Sequence, residues 1–508
     1  MRLSLVAAFA AALLLPGRAL ASPLIEAAGS LGSNAGSQGV IAGPGPASTY
    51  FNPALLLDAE DGALLAFAVL SEQVGVTLDG RLAGGDVPLS VGSRGSILVP
   101  NPSGTGLVPL PNSVVPTQWL QQGCPAGSRA GQCPAPGFAA RPRQALGSSG
   151  KTRTYLALGL VKALVKDRFT FGLYTMLPLQ SFTTAQAFYA DEREALFSNS
   201  LHPELYGDRL TAVSFVLGGA FKLLPSLSVG ASVSIGLANA ASSQDYIQDA
   251  TNYNTLLLDN SVTTTVNVAP TLGVRWTPAS WLRVGGALHS PESFTVSTSL
   301  DSTLPTGTES TTSQSNVFDW MPWSVSGGAE AELFRSATSA TSLVGSFGYA
   351  LWSGYVDRHG DSPGSYGAGM AWRDAPSGAL GVREQYRDAR GFLDVRYVPS
   401  PVPEQVGRSN YVDNDRLGLA LGADLLLHVP AAIRPGFQVF ADRLVPRHNT
   451  KNDALLVDEL PDGAVYSSGS TLSPVPGAHG LQTNNPGWPG YSSGGWLWGG
   501  SITISVPL

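Results

Sequence analysis

From about residue 152 to the C-terminus, apolar and small or polar residues alternate with a period of two. Leu227, Val229, Ala231, Val233, Ile235 and Leu237 share one face, with Ser228, Gly230, Ser232, Ser234 and Gly236 on the other. Leu417, Leu419, Leu421, Ala423, Leu425, Leu427 and Val429 repeat the pattern opposite Gly418, Gly422, Asp424 and His428. Trp496, Trp498, Ile502, Ile504, Val506 and Leu508 end the chain in the same way, with Thr503 and Ser505 opposite. Successive side chains of an extended chain point to opposite sides, so this is the period of strands and not of helices. Strands are predicted near 63–78, 152–164, 168–180, 208–223, 227–240, 263–277, 281–298, 316–334, 338–355, 366–376, 389–398, 416–429, 433–445 and 496–508. The count is soft around 366–398, where two strands, one or none would fit.

A soluble β-sandwich would alternate too, so the connections discriminate. Short turns at 165–168, 224–226, 278–280, 334–337 and 430–432 alternate with much longer connections. Short on one side and long on the other is the pattern of an outer-membrane barrel, where every backbone group must pair and no strand edge can face lipid. Trp281, Trp320, Trp323, Trp352, Trp496 and Trp498 fall near strand ends, as an interfacial aromatic girdle requires. The predicted fold class is therefore all-β, a transmembrane antiparallel β-barrel of about fourteen strands. A cylinder of that width needs water or a plug inside.

The first residues read as an export address. Arg2 opens a short positive region, Leu3 to Leu15 is apolar and uncharged, and Ala19-Leu20-Ala21 precedes the expected cleavage point, so 1–21 is a signal peptide. The apolar run ends at Pro16-Gly17-Arg18, short of the roughly 20 residues a membrane helix needs. Residues 22–61 then precede the first strand and are rich in Gly, Ala and Ser. They are too many to dangle from a barrel and are expected to form a hatch inside the lumen, leaving 62–508 as the barrel and 81–150 as its longest outer loop.

Composition narrows the chemistry. With 30 Lys plus Arg and a net charge of -7, the chain has no basic field for nucleic acid. Cys124 and Cys133 lie close together in a Gly- and Pro-rich part of an exported chain and are expected to form a local disulfide. The stretch Ala145 to Thr152 is one residue from a phosphate-binding loop, but it leads into a strand and not the helix whose N-terminus would hold phosphate. Asp413-Asn414-Asp415 lacks the Gly and Glu that complete a calcium loop. The six His residues form no zinc-binding spacing, and neighbours such as His289 and Ser290 point to opposite faces of a strand. No metal, cofactor or enzymatic activity is expected; an outer-membrane hydrolase built from residues distant in sequence is the remote alternative. Thr184 to Ser198 reads as a short amphipathic helix packed on the barrel mouth.

The stretch Asn34-Ala35-Gly36 through Ala42-Gly43, then Ala47-Ser48-Thr49 and Phe51-Asn52-Pro53-Ala54, resembles the N-terminal hatch of the FadL/TodX family of outer-membrane long-chain fatty acid and hydrocarbon transporters. Leu223 to Gly236, Gly273 to Phe294, Pro399 to Pro403 and Asn410 to Asp415 are similar in register. The resemblance implies a fourteen-strand barrel plugged by a hatch, acting as a monomer in outer-membrane lipid and moving a hydrophobic small molecule inward without an energy source. It makes Ser48, Thr49, Phe51, Asn52, Pro53 and Ala54 candidate hatch or ligand residues. The alternative function is a water-filled porin for small polar solutes. The long 81–150 loop and the non-aromatic C-terminal Leu508 depart from the family pattern.

Overall fold

In a computed structural model the chain forms a closed antiparallel barrel. The structure describes residues 23–79, 96–101, 105–109, 146–147, 151–179, 202–203, 214–236, 240–249, 254–264, 268–303, 309–367, 369–428, 432–455, 465–468, 470–474, 485 and 487–508. The signal peptide, Cys124 and Cys133, most of the 81–150 loop and the 184–198 helix lie outside the described residues.

The barrel strands are β1 (Gly62–Leu78), β2 (Lys151–Val165), β3 (Phe169–Pro178), β4 (Ser214–Leu224), β5 (Leu227–Gly236), β6 (Val268–Ala279), β7 (Leu282–His289), β8 (Ser324–Arg335), β9 (Ser339–Ala350), β10 (Ala375–Tyr386), β11 (Ala389–Val398), β12 (Arg416–Leu425), β13 (Arg434–Thr450) and β14 (Gly490–Pro507). Each pairs with the next, and β14 returns to β1 from Gly62↔Pro507 to Leu78↔Tyr491, which closes the cylinder. The start of β1 and the end of β14 therefore lie at the short-turn end. Beyond the other end, 240–249, 254–264, 292–303 and 309–321 pair as a separate four-stranded sheet.

Burial identifies the environment. On β12 the leucines Leu417, Leu419 and Leu421 are exposed, whereas Gly418, Ala420 and Gly422 between them are buried. On β5, Ser228, Ser232 and Ser234 are the buried positions. On β14, Trp496, Trp498, Ile502 and Ile504 face out while Ser501 and Thr503 face in. The polar face is inside and the apolar face outside, the reverse of a soluble sandwich and the arrangement lipid demands. Leu419→Arg, in the middle of β12, is accordingly expected to destabilise the barrel by about 2–4 kcal/mol, read as a lowered urea midpoint for folding into vesicles.

The count of fourteen stands, but several boundaries move. The predicted 366–376 strand is instead a 3-10 turn at Pro363–Tyr366 followed by irregular chain, and the strand is Ala375–Tyr386. Arg383 and Glu384 obscured it: Arg383 is a charge facing the lumen, and Glu384 is an exposed charge on the outward face near the short turn, so both faces of the alternation are interrupted. Its turn was also hidden, because Arg387, the first of the two residues linking β10 to β11, adopts a left-handed φ of 53° in place of the expected glycine or asparagine. The 281–298 and 316–334 predictions each merged a barrel strand with the separate sheet. Trp281, Trp323, Trp496 and Trp498 are exposed, whereas Trp352 is buried and Trp320 packs against it at 5.9 Å between ring centres, so neither belongs to a girdle. At Lys151 a strand begins, not a helix.

Candidate functional site

The N-terminal segment consists of α1 (Pro23–Ala28), α2 (Ser48–Phe51), a 3-10 turn at Pro53–Asp58 and tight loops between them. Leu24, Ile25, Leu31, Ala35, Ile41, Ala47, Tyr50, Leu55 and Leu56 are all at most 1% exposed. The segment bonds to β6, β9, β10, β11 and β13 and packs on glycines of β2, β3, β5, β6, β7 and β8. A piece of about forty residues reaches so many strands of a closed cylinder only from inside it.

Asn52 organises one half of this packing. Its φ of -160° is extended, as the following proline requires, and Pro53 opens the 3-10 turn where a missing N–H costs nothing. The Asn52 side chain is fully buried, and all three of its bonds stay within this region. Its Nδ2 donates to the carbonyl of Val40 at 2.8 Å and to that of Val274 on β6 at 3.1 Å, and its Oδ1 accepts the Ala54 amide at 3.1 Å. One carboxamide thus ties two loops of the segment to each other and to the wall.

The wall makes room by having no side chains there. A Cβ on Gly273 would collide with Asn52 Oδ1, and one on Gly230 with the Ala54 amide and the Pro53 carbonyl carbon. Gly273→Val is expected to push the Asn52-Pro53 turn off the wall at an overpacking cost of about 1–3 kcal/mol, with new proteolytic cleavage within 23–58 in an otherwise assembled barrel.

The other predicted site residues sit beside Asn52. Ser48 is buried and its hydroxyl accepts the Gly45 amide at 3.2 Å. Thr49 is buried, and its hydroxyl has no hydrogen-bond partner among the described residues. Phe51 is half-buried against Tyr50, edge to face at 5.1 Å, while Pro53 and Ala54 are buried. Leu56 joins Val161 of β2 and Ala220 of β4 in an apolar cluster and lies against Gly172 of β3. At the base of the turn, Asp58 pairs with Arg275 of β6 at 2.7 Å.

Sequence reasoning missed the opposite half of the wall. Arg383 of β10 and Asp394 of β11 form an ion pair at 2.6 Å with side chains 5% and 0% exposed. Arg383 also donates to the Ala35 carbonyl at 2.6 Å, and Asp394 accepts the Ser37 amide and hydroxyl, both at 3.0 Å. Gln38 donates to Val344 of β9 at 3.3 Å, and Gln438 of β13 donates to Ala28 at 2.7 Å. Below and above this node, Arg390 and Arg434 share Asp424 at 2.9 and 3.0 Å, and Arg396 pairs with Asp442 at 2.7 Å. The signal available in sequence was a charge on the polar face of an alternating strand, as in Phe392-Leu393-Asp394-Val395-Arg396.

The long-loop end is closed by residues 399–414. Gln405, Ser409, Asn410, Tyr411, Asp413 and Asn414 are buried, and Tyr411 joins Trp352, Tyr355 and Trp372, with Tyr355 stacked on Trp372 at 3.6 Å. The acidic triplet that resembled a calcium loop braces this strap. Asp413 accepts from Ser400 Oγ, Asp415 accepts the Ser400 amide at 2.8 Å, and Asn414 donates to Val445 and Ser493 at 2.9 and 3.1 Å. Lys451 donates to Gly407 and Ser409 at 2.8 and 2.7 Å, and burial pushes its ammonium well below the usual lysine range.

No protein-family model matches the chain, and no curated protein sequence matches it. Among solved structures, a Pseudomonas aeruginosa FadL homologue superposes with a TM-score of 0.51 at 14% identity, over 96% of this chain and 98% of the other. The toluene transporters TodX of P. putida (10% identity, TM-score 0.44, 96% and 99% covered) and TbuX of Ralstonia pickettii (12%, 0.40, 96% and 98%) are also similar. The superposition with the FadL homologue establishes a common fold, a closed antiparallel barrel, along nearly the whole chain.

Proposed function

We propose that the protein is an outer-membrane channel for passive uptake of hydrophobic small molecules, long-chain fatty acids among them, and that residues 22–61 act as its hatch. Support comes from the fold it has in common with a FadL homologue. The observation that carries the reading is the lumen itself: residues 23–58 occupy it, joined to β1 through 59–61 and otherwise held by side-chain hydrogen bonds and apolar contacts among the described residues. A filled lumen does not suit a general porin, which needs an open aqueous channel. It suits a gate that yields locally.

The physical need is clear. Each methylene of an acyl chain favours an apolar setting over water by about 0.8 kcal/mol, so a water-filled pore would reject such a ligand. The near-match to a phosphate-binding loop leads into a strand, so transfer on this reading is driven by the ligand's own gradient and capture downstream. Saturable uptake of radiolabelled oleate by a host lacking its own transporter, with the barrel's assembly verified by heat-modifiable gel mobility, is the expected result. Labelled toluene is the second probe. Uptake of neither by an assembled barrel, together with entry of small sugars, would replace this reading with the porin.

A further inference from the structure

The two halves of the lumen wall hold the N-terminal segment by different means. Toward β2–β7, residues 46–57 interlock: Leu56 inserts among Val161, Ala220 and Gly172, and Asn52, Pro53 and Ala54 lie directly on Gly230 and Gly273. Beside this interlock the polar bonds on that side include Asn52 to Val274 and Asp58 to Arg275; on the other side Leu24, Ile25 and Leu31 share an apolar cluster with Phe392 and Phe440, so the two sides differ in the weight of their polar bonds. Toward β10–β13, the segment is held at 28 and 35–37 by polar bonds to Gln438, Arg383 and Asp394, and Gly36 touches the Phe392 ring and Asp394 so closely that no Cβ would fit.

Two voids border this second side. At the short-turn end a cavity of about 120 Å³ reaches from Arg390 and Arg434 past Gly32, Pro46 and Asp58 to Ala63 of β1 and Val506 of β14. Next to it, again touching Gly32, a void of about 10 Å³ is lined by Ser33, Asn34, Phe392, Asp424 and Gln438, room for roughly one water. Asp424 lines the small void, and the two arginines it binds line the large one, so this ion triad forms the neck between them. Above the neck stands the Arg383–Asp394 pair, and above that Arg396–Asp442; Arg383 and Arg396 lie over the rings of Phe392 and Phe440 at 5.2 and 5.4 Å.

We infer that the ligand passes between residues 28–38 and the β10–β13 wall, that Arg383 and Asp394 are the latch of this passage, and that residues 46–57 stay fixed to β2–β7 as the hinge side. The inference rests on the hatch reading and assigns the moving part of it. Polar latches suit a gate because each bond broken on opening can be replaced by water or a neighbouring ion-pair partner, whereas apolar interlock has no such substitute. The Phe392 and Phe440 rings give an apolar ligand contact along a wall that also carries the paired charges.

Two disulfide tethers test it. Ser37→Cys with Asp394→Cys joins side chains now in hydrogen-bond contact, and is made with Arg383→Leu so that no lone guanidinium is buried. Leu56→Cys with Gly172→Cys joins the segment to β3, and is made with Thr49→Ala because a Cβ at 172 would meet the Thr49 hydroxyl as well as the leucine that the cysteine replaces. Both are compared oxidised and reduced, in barrels verified by gel mobility, with whichever of oleate and toluene the native chain carries. Oxidation of the first tether is expected to lower uptake about tenfold or more, reversibly with reductant, and oxidation of the second to change it less than about twofold. Block by the second tether, alone or along with the first, would overturn the assigned passage while leaving a moving hatch. Block by neither would overturn the hatch reading itself. Should the first tether fail to assemble, Arg383→Leu/Asp394→Leu replaces it: faster uptake supports the latch, and uptake at the native rate overturns it.

Discussion

Asn52→Ala is expected to yield a barrel that assembles at the outer membrane but takes up little of its ligand. The substitution removes three hydrogen bonds at once: it leaves the Val40 carbonyl and the Ala54 amide without these partners in a site with no solvent access, and it frees the segment from the Val274 carbonyl of the wall. Each buried group left unsatisfied costs about 1–3 kcal/mol, enough together to dissolve the fixed geometry of the 40–54 region. The barrel's stability resides elsewhere, in the ladder closed from Gly62↔Pro507 to Leu78↔Tyr491. Gel mobility should therefore remain heat-modifiable while limited proteolysis opens the segment. Asn52→Asp is the sharper control: it is nearly isosteric and keeps the acceptor for Ala54, but it turns a carboxylate toward two carbonyl oxygens that now receive a donor. Native uptake by a well-assembled Asn52→Ala chain would remove Asn52 from the gate.

The second large effect concerns the buried charges. Arg383→Ala leaves Asp394, fully buried, with only Ser37 to balance it, and removal of one partner of a buried pair destabilises by about 3–5 kcal/mol. Replacing both residues by leucine removes the charges together and is expected to cost far less, since apolar residues of similar volume often substitute for a buried pair without loss. The measurement is the urea midpoint of the three variants in matched detergent. A single variant as stable as the double one would mean that water reaches the pair and that it is no latch.

The uneven legibility of the chain has a physical pattern. Strand existence was readable wherever one face met lipid, because lipid imposes an unbroken apolar set at every second position, as at Leu417, Leu419 and Leu421. It faded in β10, whose lumen-facing Arg383 is satisfied by a residue eleven positions later on the next strand. Trp352 looked like a girdle residue because it lies near a strand end; only the fold of its own 351–374 connection against 399–414 brings Trp372 and Tyr411 to bury its neighbourhood. The candidate hatch residues were found through a resemblance, and their local chemistry alone would have allowed an ordinary turn.

What the sequence by itself determined is therefore the class: a barrel with its apolar face outward, about fourteen strands, short turns at one end, and a leading segment too long to be a strand and rich in the small residues that pack tightly. These follow from period, length and turn chemistry, which are local. The tertiary structure alone decided which wall residues meet that segment. Asn52 finds the Val274 carbonyl 222 positions away, Ser37 finds Asp394 357 positions away, and Gln438 finds the Ala28 carbonyl 410 positions away. Closing the cylinder, and not any property of the neighbouring sequence, sets those partners, because closure fixes which inward positions share a level and leaves one confined volume for the segment to fill.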